Sequence, residues 1–182
     1  MQSAGGLWFA FGKQALRSWL LRLSWLRRGV YIGPGARIPG GGQLHFARTA
    51  SVQRYAVLNA RAGASIRVGS GTRIGAFAVI SAIQSVDIGA DVLIADRVFI
   101  ADHNHEFSDP GIPVIQQGCS VAKPVTIGAG CWLGINVCIM PGVALGGGCI
   151  VGAGSVVTNS FPEGSIIGGV PARLIRRRVS RE

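Results

Sequence analysis

Residues 125–158 read VTIGAGCWLGINVCIMPGVALGGGCIVGAGSVVT, and within them Ile127, Leu133, Ile139, Leu145, Val151 and Val157 recur every six positions without a miss. Gly128, Gly134, Gly146 and Gly152 follow four of the six. No α-helix has this period. A hexapeptide with an aliphatic first residue and often a glycine second describes one short strand and one turn, so three of them close a triangular coil of about eighteen residues. The aliphatic side chains then stack inward, and each coil adds its strands to those of the coil before it at a spacing of about 4.8 Å.

The period continues outward in other frames. Ile88, Ile94 and Ile100 form one run, and Val68, Ile74 and Ile80 form another that extends back weakly to Ile32, Ile38 and Leu44. Frame changes mark small insertions between coils. Residues 30–168, less a break between Ile100 and Val125, have room for six to seven coils. The expected fold is all-β: a parallel β-helix over residues 30–170 with a protruding loop at 104–124, an N-terminal amphipathic helix in 1–29 and a basic tail over 171–182. Composition agrees, because 28 glycines in 182 residues are about twice the usual share and glycine is costly inside helices.

Cys119, Cys131, Cys138 and Cys149 make no CxxC pair, which disfavours a disulfide scaffold or a zinc site and fits a reducing compartment. Cys131 and Cys149 fall on the small fifth position of their repeats, where a free thiol packs as a small hydrophobe. Lys and Arg exceed Asp and Glu by 18 to 8, with five cations in residues 13–28 and five in 173–181, so the excess is assigned to the two ends. Residues 7–26 are apolar but interrupted by Lys13, Arg17 and Arg22, a pattern that fits neither a spanning helix nor a signal peptide. On a helical wheel Lys13, Arg17, Ser24, Arg27 and Arg28 oppose Trp8, Ala15, Leu16, Trp19, Leu23 and Leu26. Such a helix either caps the open first coil or lies on an anionic membrane.

The break carries two of the three histidines in Ala101-Asp102-His103-Asn104-His105-Glu106-Phe107-Ser108-Asp109-Pro110. A long interruption of a solenoid costs entropy and often carries function. Three readings are open: satisfied surface histidines, a metal site completed by Asp102, Glu106 or another chain, or acid–base chemistry. A three-histidine zinc site is disfavoured because His45 lies too far back in the stack.

Asp102-His103-Asn104-His105, Trp132-Leu133-Gly134, Met140-Pro141-Gly142-Val143, the run from Val151 to Thr158 and Gly168-Gly169-Val170-Pro171-Ala172-Arg173 together resemble the hexapeptide-repeat acyltransferases. The likeness is to the maltose, galactoside and nodulation-factor O-acetyltransferase branch with its polysaccharide-cluster relatives, and it covers residues 66–178. The resemblance implies a left-handed coil and a homotrimer, with acetyl-CoA in the cleft between neighbouring prisms. His103 is then the general base, and no metal is required. Asp102, His105 and Trp132 belong to the acceptor side, and Asp102 is also a candidate to orient or polarise the His103 ring, although adjacent residues on a strand point apart. Trp132, Gly134, Ile135, Ala153, Thr158, Arg173 and Arg176 belong to the acetyl-CoA side, with a backbone N–H at Gly134 or Ile135 meeting the thioester oxygen.

Two departures stand out. Asn159 occupies the place of the usual lysine, leaving Arg177 or Arg178 to replace one phosphate contact. The stretches Gly75-Ala76-Phe77 and Ser81-Ala82-Ile83-Gln84-Ser85 lack the family's sugar-holding Asn and Asp, which favours a nucleotide-sugar or lipid-linked glycan over a small soluble sugar. The function expected is O-acetylation of a cell-surface or exopolysaccharide sugar by a cytoplasmic enzyme, with peripheral membrane contact if residues 7–28 bind lipid. N-acylation of an amino-sugar nucleotide and a non-catalytic structural prism are the alternatives. Nucleic acid is not an expected partner, since the basic clusters are terminal and lack a recognition motif.

Overall fold

The computed structural model describes Leu26 and residues 29–179. The amphipathic segment expected in 1–29 therefore lies almost wholly outside the described residues. From Val30 onward the chain winds through seven coils of a left-handed β-helix with three faces, here A, B and C in the order the chain visits them.

The first coil runs through β1 (Tyr31–Ile32) on face A, a bridge from Arg37 to Val57 on face B, and β2 (Gln43–Phe46) on face C. The second takes β3 (Ser51–Val52), β4 (Val57–Ala60) and β5 (Ser65–Val68). The third takes β6 (Arg73–Ile74), β7 (Val79–Ala82) and β8 (Ser85–Ile88). The fourth takes β9 (Leu93–Ile94), β10 (Phe99–Ala101) and, after the break, β11 (Val125–Ile127). The fifth takes β12 (Trp132–Leu133), β13 (Cys138–Ile139) and β14 (Ala144–Leu145). The sixth has β15 (Ile150–Val151), β16 (Val156–Val157) and a bridge from Phe161 to Leu145, and the seventh opens with β17 (Ser165–Gly169). Every ladder within a face is parallel up to β17, and like positions stack: Leu133 sits between Ile94 and Val151, and Ile139 between Ile100 and Val157.

The core is this aliphatic stack, with Ile80, Ile100, Leu133 and Ile139 wholly buried. Phe46, Val52 and Leu58 are also spaced by six and buried, a run the sequence reading passed over. Ile32, Ile38 and Leu44 are only half-buried at the open first end. The frame shifts fall at one corner, between faces B and C, where 61–64 and 83–84 are inserted before strands that turn two residues inward, Ile66 with Val68 and Val86 with Ile88. The long break leaves from the same corner after Ala101. A corner makes no continuous ladder, so residues added there leave the strand register intact.

Cys131 and Cys149 are buried, their thiols directed at the carbonyls of Gly146 (3.2 Å) and Pro162 (3.3 Å). Burial pushes the Cys131 thiol up to about 11. The basic segment expected to be a tail is instead a strand, β18 (Ala172–Arg177), antiparallel to β17. It forms because Ala172 is buried against the last coil, and the last coil's free edge takes up a row of backbone partners. Arg177 Nη1 donates to the Glu163 carbonyl (2.6 Å) and Arg178 Nη1 to that of Gly148 (3.0 Å), closing the C-terminal end as a cap. Among the described residues no helix is long and apolar enough to cross a membrane.

Candidate active site

The break folds as a ribbon that closes where it opens: the Lys123 N–H donates to the Asp102 carbonyl at 2.7 Å. Further out, Ser120 N–H meets the Asn104 carbonyl (2.9 Å) and Glu106 N–H that of Gly118 (3.1 Å), with His105 opposite Cys119. A short helix, α1 (Val114–Gln117), turns the tip, and Ile115 there is 82% exposed. The Phe107 N–H, followed by the hydroxyl and N–H of Ser108, holds the Glu106 carboxyl below its ordinary range.

At the root of the ribbon Asp102 has no exposed surface. Its Oδ1 accepts from the Ile83 N–H (3.0 Å), its Oδ2 from the Gln84 N–H (2.7 Å), and Oδ1 lies 2.7 Å from His103 Nδ1. A buried carboxylate is tolerable only when its lone pairs are satisfied. Here the donors come from the corner insertion of the coil beneath, which the two-residue slip from Ile80 to Ile88 announces in the sequence. In a neutral imidazole the 2.7 Å contact with a carboxylate oxygen, which accepts, places the proton on Nδ1, and Nε2 then carries the lone pair. Adjacent residues on a strand point apart; this pair converges because the chain has left β10 at Ala101. Asp102, expected on the acceptor side and as a candidate to orient the ring, stands behind the imidazole. The His103 side chain is 16% accessible, and His105 is exposed on the first arm of the ribbon.

A second group lies on face A and its corner with face B. Trp132 points outward, 48% exposed. It begins a column of register partners, Trp132, Ile150, Ile166 and Arg176, that climbs three strand spacings, about 14 Å. Gly134 is held against the next coil so closely that a Cβ there would lie 2.7 Å from the Ala153 backbone nitrogen. The Gly134 N–H is already committed to the Val151 carbonyl (2.9 Å). Of the two amides expected to meet a thioester oxygen, only that of Ile135 has no protein acceptor among the described residues. Ala153 is exposed on the same corner, one coil above, and Arg173 and Arg176 are exposed on β18.

The two groups are not together. His103 and Thr158 mark the B–C corner, while Ile135 and Ala153 mark the A–B corner. A side of six residues at about 3.3 Å each keeps those corners roughly 15–20 Å apart in one chain. Among the described residues no three His, Cys, Asp or Glu side chains converge as metal ligands.

The family model for the hexapeptide repeat of succinyl-transferase matches residues 124–159. The putative lipopolysaccharide biosynthesis O-acetyl transferase WbbJ of Escherichia coli K12 is 45% identical over 97 residues, 50% of this chain and 49% of that protein. The chain thus spans about half the length of the curated relatives it matches. Among solved structures, the hexapeptide-repeat acetyltransferase VCA0836 of Vibrio cholerae, complexed with acetyl coenzyme A, superposes with a TM-score of 0.55 at 25% identity, covering 79% of this chain and 71% of that one. The N-acyltransferase AntD of Bacillus cereus, at 22% identity and a TM-score of 0.69, covers 82% and 84% and shares the fold. Residues 124–159 match the hexapeptide repeat, and the chain is similar to hexapeptide-repeat acetyltransferases in sequence over half its length and in fold.

Proposed function

We propose that the protein transfers an acetyl group from acetyl-CoA to a sugar hydroxyl in the biosynthesis of a cell-surface polysaccharide. The observation that carries this reading is the buried Asp102 carboxylate fixing His103 Nδ1 at 2.7 Å, so that Nε2 stands ready as a base. A hydroxyl is a weak nucleophile at neutral pH, and an imidazole with an ordinary pKa of about 6.5 is suited to take its proton. The acceptor oxygen attacks the thioester carbonyl carbon as Nε2 removes the hydroxyl proton. Negative charge gathers on the carbonyl oxygen, where the unpaired Ile135 N–H supplies a donor. Collapse forms the ester, breaks the carbon–sulfur bond and returns the proton from Nε2 to the departing thiolate. The column from Trp132 to Arg176 supports acetyl-CoA lying along face A, thioester at the indole and phosphates at the guanidiniums of Arg173 and Arg176.

The separation of His103 from Ile135 requires a second copy of the chain, with one protomer giving the B–C corner and the next the A–B corner. A homotrimer meets this requirement. Two surfaces support it: the outward column Val57, Val79, Phe99, Cys138 and Val156 on face B, and the exposed apolar tip of the ribbon. These five positions carry no charge, as in the centre of subunit interfaces, and the column reaches a charged residue only at Arg37 in the first coil.

A thiol-release assay with acetyl-CoA tests the proposal against a panel of O-linked glycans, nucleotide-sugars and amino-sugar nucleotides. Turnover with hydroxyl acceptors is expected. Turnover confined to amine acceptors overturns the choice of hydroxyl, and no release with any acceptor by a protein that binds acetyl-CoA overturns the enzyme.

A further inference from the structure

Besides the ten cations of the two terminal stretches, the charge of this protein is distributed unevenly along the prism axis. Eleven of the eighteen Lys and Arg, and none of the eight Asp and Glu, lie in residues 1–86, whereas residues 87–182 hold seven cations and eight acids. Within the folded part, Arg37, Arg48, Arg54, Arg61, Arg67 and Arg73 are all exposed and all belong to the first three coils. They are spread around the prism. Arg37 is on face B, Arg67 on face C and Arg73 on face A, while Arg48, Arg54 and Arg61 occupy the three successive corners C–A, A–B and B–C. Only Arg67 has a carboxylate partner among the described residues, Asp87 at 2.8 Å.

We propose that this N-terminal end of the prism docks on an anionic membrane leaflet. A ring of guanidiniums around one end of a rod presents no groove in which to seat a nucleic-acid duplex and no pocket for a single anion, but it matches a flat sheet of phosphates approached end-on. Tyr31 (48% exposed) and Tyr55 (53% exposed) stand in the same coils, and tyrosine favours the interface between water and lipid. The chain enters the fold at this end. The 28 residues before Gly29 continue the pattern with Lys13, Arg17, Arg22, Arg27 and Arg28, again without an acid and alternating with tryptophan and leucine. End-on docking sets the fourth coil, and His103 with it, about 15 Å beyond the first coil, within reach of a head group carried by the membrane.

The test is co-sedimentation of the full-length protein with vesicles of phosphatidylglycerol and phosphatidylethanolamine, and with vesicles of phosphatidylcholine alone. Binding to the anionic vesicles that weakens as salt rises, and none to phosphatidylcholine, is expected. The triple variant Arg48→Gln, Arg54→Gln, Arg61→Gln is expected to bind about tenfold or more weakly, because each basic residue at the surface counts. The variant Lys123→Gln, Arg177→Gln, Arg178→Gln removes equal charge away from the proposed docking end and is expected to bind within about twofold of the unaltered protein. Each single Arg→Gln substitution in the ring is expected to give an intermediate loss, which separates a surface effect from misfolding. Equal losses in the two triple variants would reduce the effect to net charge and overturn the proposal. So would equal binding to phosphatidylcholine, or tighter binding to duplex DNA than to the anionic vesicles.

Discussion

Asp102 and His103 are joined twice, by their peptide bond and by a 2.7 Å hydrogen bond between Oδ1 and Nδ1. The second join depends on a third partner. The amides of Ile83 and Gln84, one coil below, hold the carboxylate from the other side, so the imidazole is aimed by the stacking of two coils. A loop histidine positioned in this way is attached to the rigid body of the solenoid.

His103→Ala is therefore expected to lower acetyl transfer by about two to four decades, the range for loss of a positioned base, with acetyl-CoA affinity unchanged by calorimetry. His105→Ala should retain most of the activity. The reverse pattern would move the base to His105.

Asp102→Asn removes a charge and substitutes an amide NH2 for one acceptor oxygen facing two backbone donors. A fall in kcat with little change in KM is expected, together with a loss of about 1–3 kcal/mol in unfolding free energy. A variant that melts early but turns over normally would show that Asp102 serves only the corner.

Light scattering should give three times the chain mass of 18.9 kDa. Phe99→Glu puts a charge in the middle of the apolar column on face B and is expected to dissociate the assembly and abolish turnover together. A fully active species of one chain mass would refute the shared site.

Leu133→Ala, in the wholly buried stack, should cost about 2–5 kcal/mol by denaturant unfolding. Ile115→Ala, at the exposed ribbon tip, should leave the stability of the separated chain within about 0.5 kcal/mol of the unaltered protein.

Cys131 gives a pH dependence whose sign is determined. Its thiol rises from an ordinary value of 9.0 to about 11 in the folded chain. The folded state thus holds the proton more tightly, and the associated stability is complete below pH 9 and is lost as pH rises towards 11. The unfolding midpoint should fall across that interval, less steeply in Cys131→Ser. At pH 8 an aromatic disulfide reagent should leave Cys131 and Cys149 unlabelled until the protein unfolds.

The late coils were legible from residues 125–158 because a repeat of six places one aliphatic side chain inward per strand, and burial of that side chain is a local necessity. The run Phe46, Val52, Leu58 escaped notice because Leu44 and Phe46 both turn inward on β2 and the corner insertion at 61–64 follows Leu58, so its frame differs from the runs on either side. The strand Ala172–Arg177 escaped it because three arginines in six residues look like solvent-exposed tail. Its pairing comes from the free edge of β17, which no feature of the strand's own sequence reveals.

The coil, its approximate number of turns, the place of the break and the residue types able to do acid–base chemistry there all follow from spacing along one chain. The stacking of coils sets the Asp102 carboxylate against His103 and commits the Gly134 amide proton to Val151. It also puts His103 and Ile135 at different corners, and gathers six arginines scattered over 37 residues into one ring. The physical reason is the same in each case: a solenoid brings together residues about twenty positions apart, so hydrogen bonds between coils and charges around a coil have no signature in a local pattern.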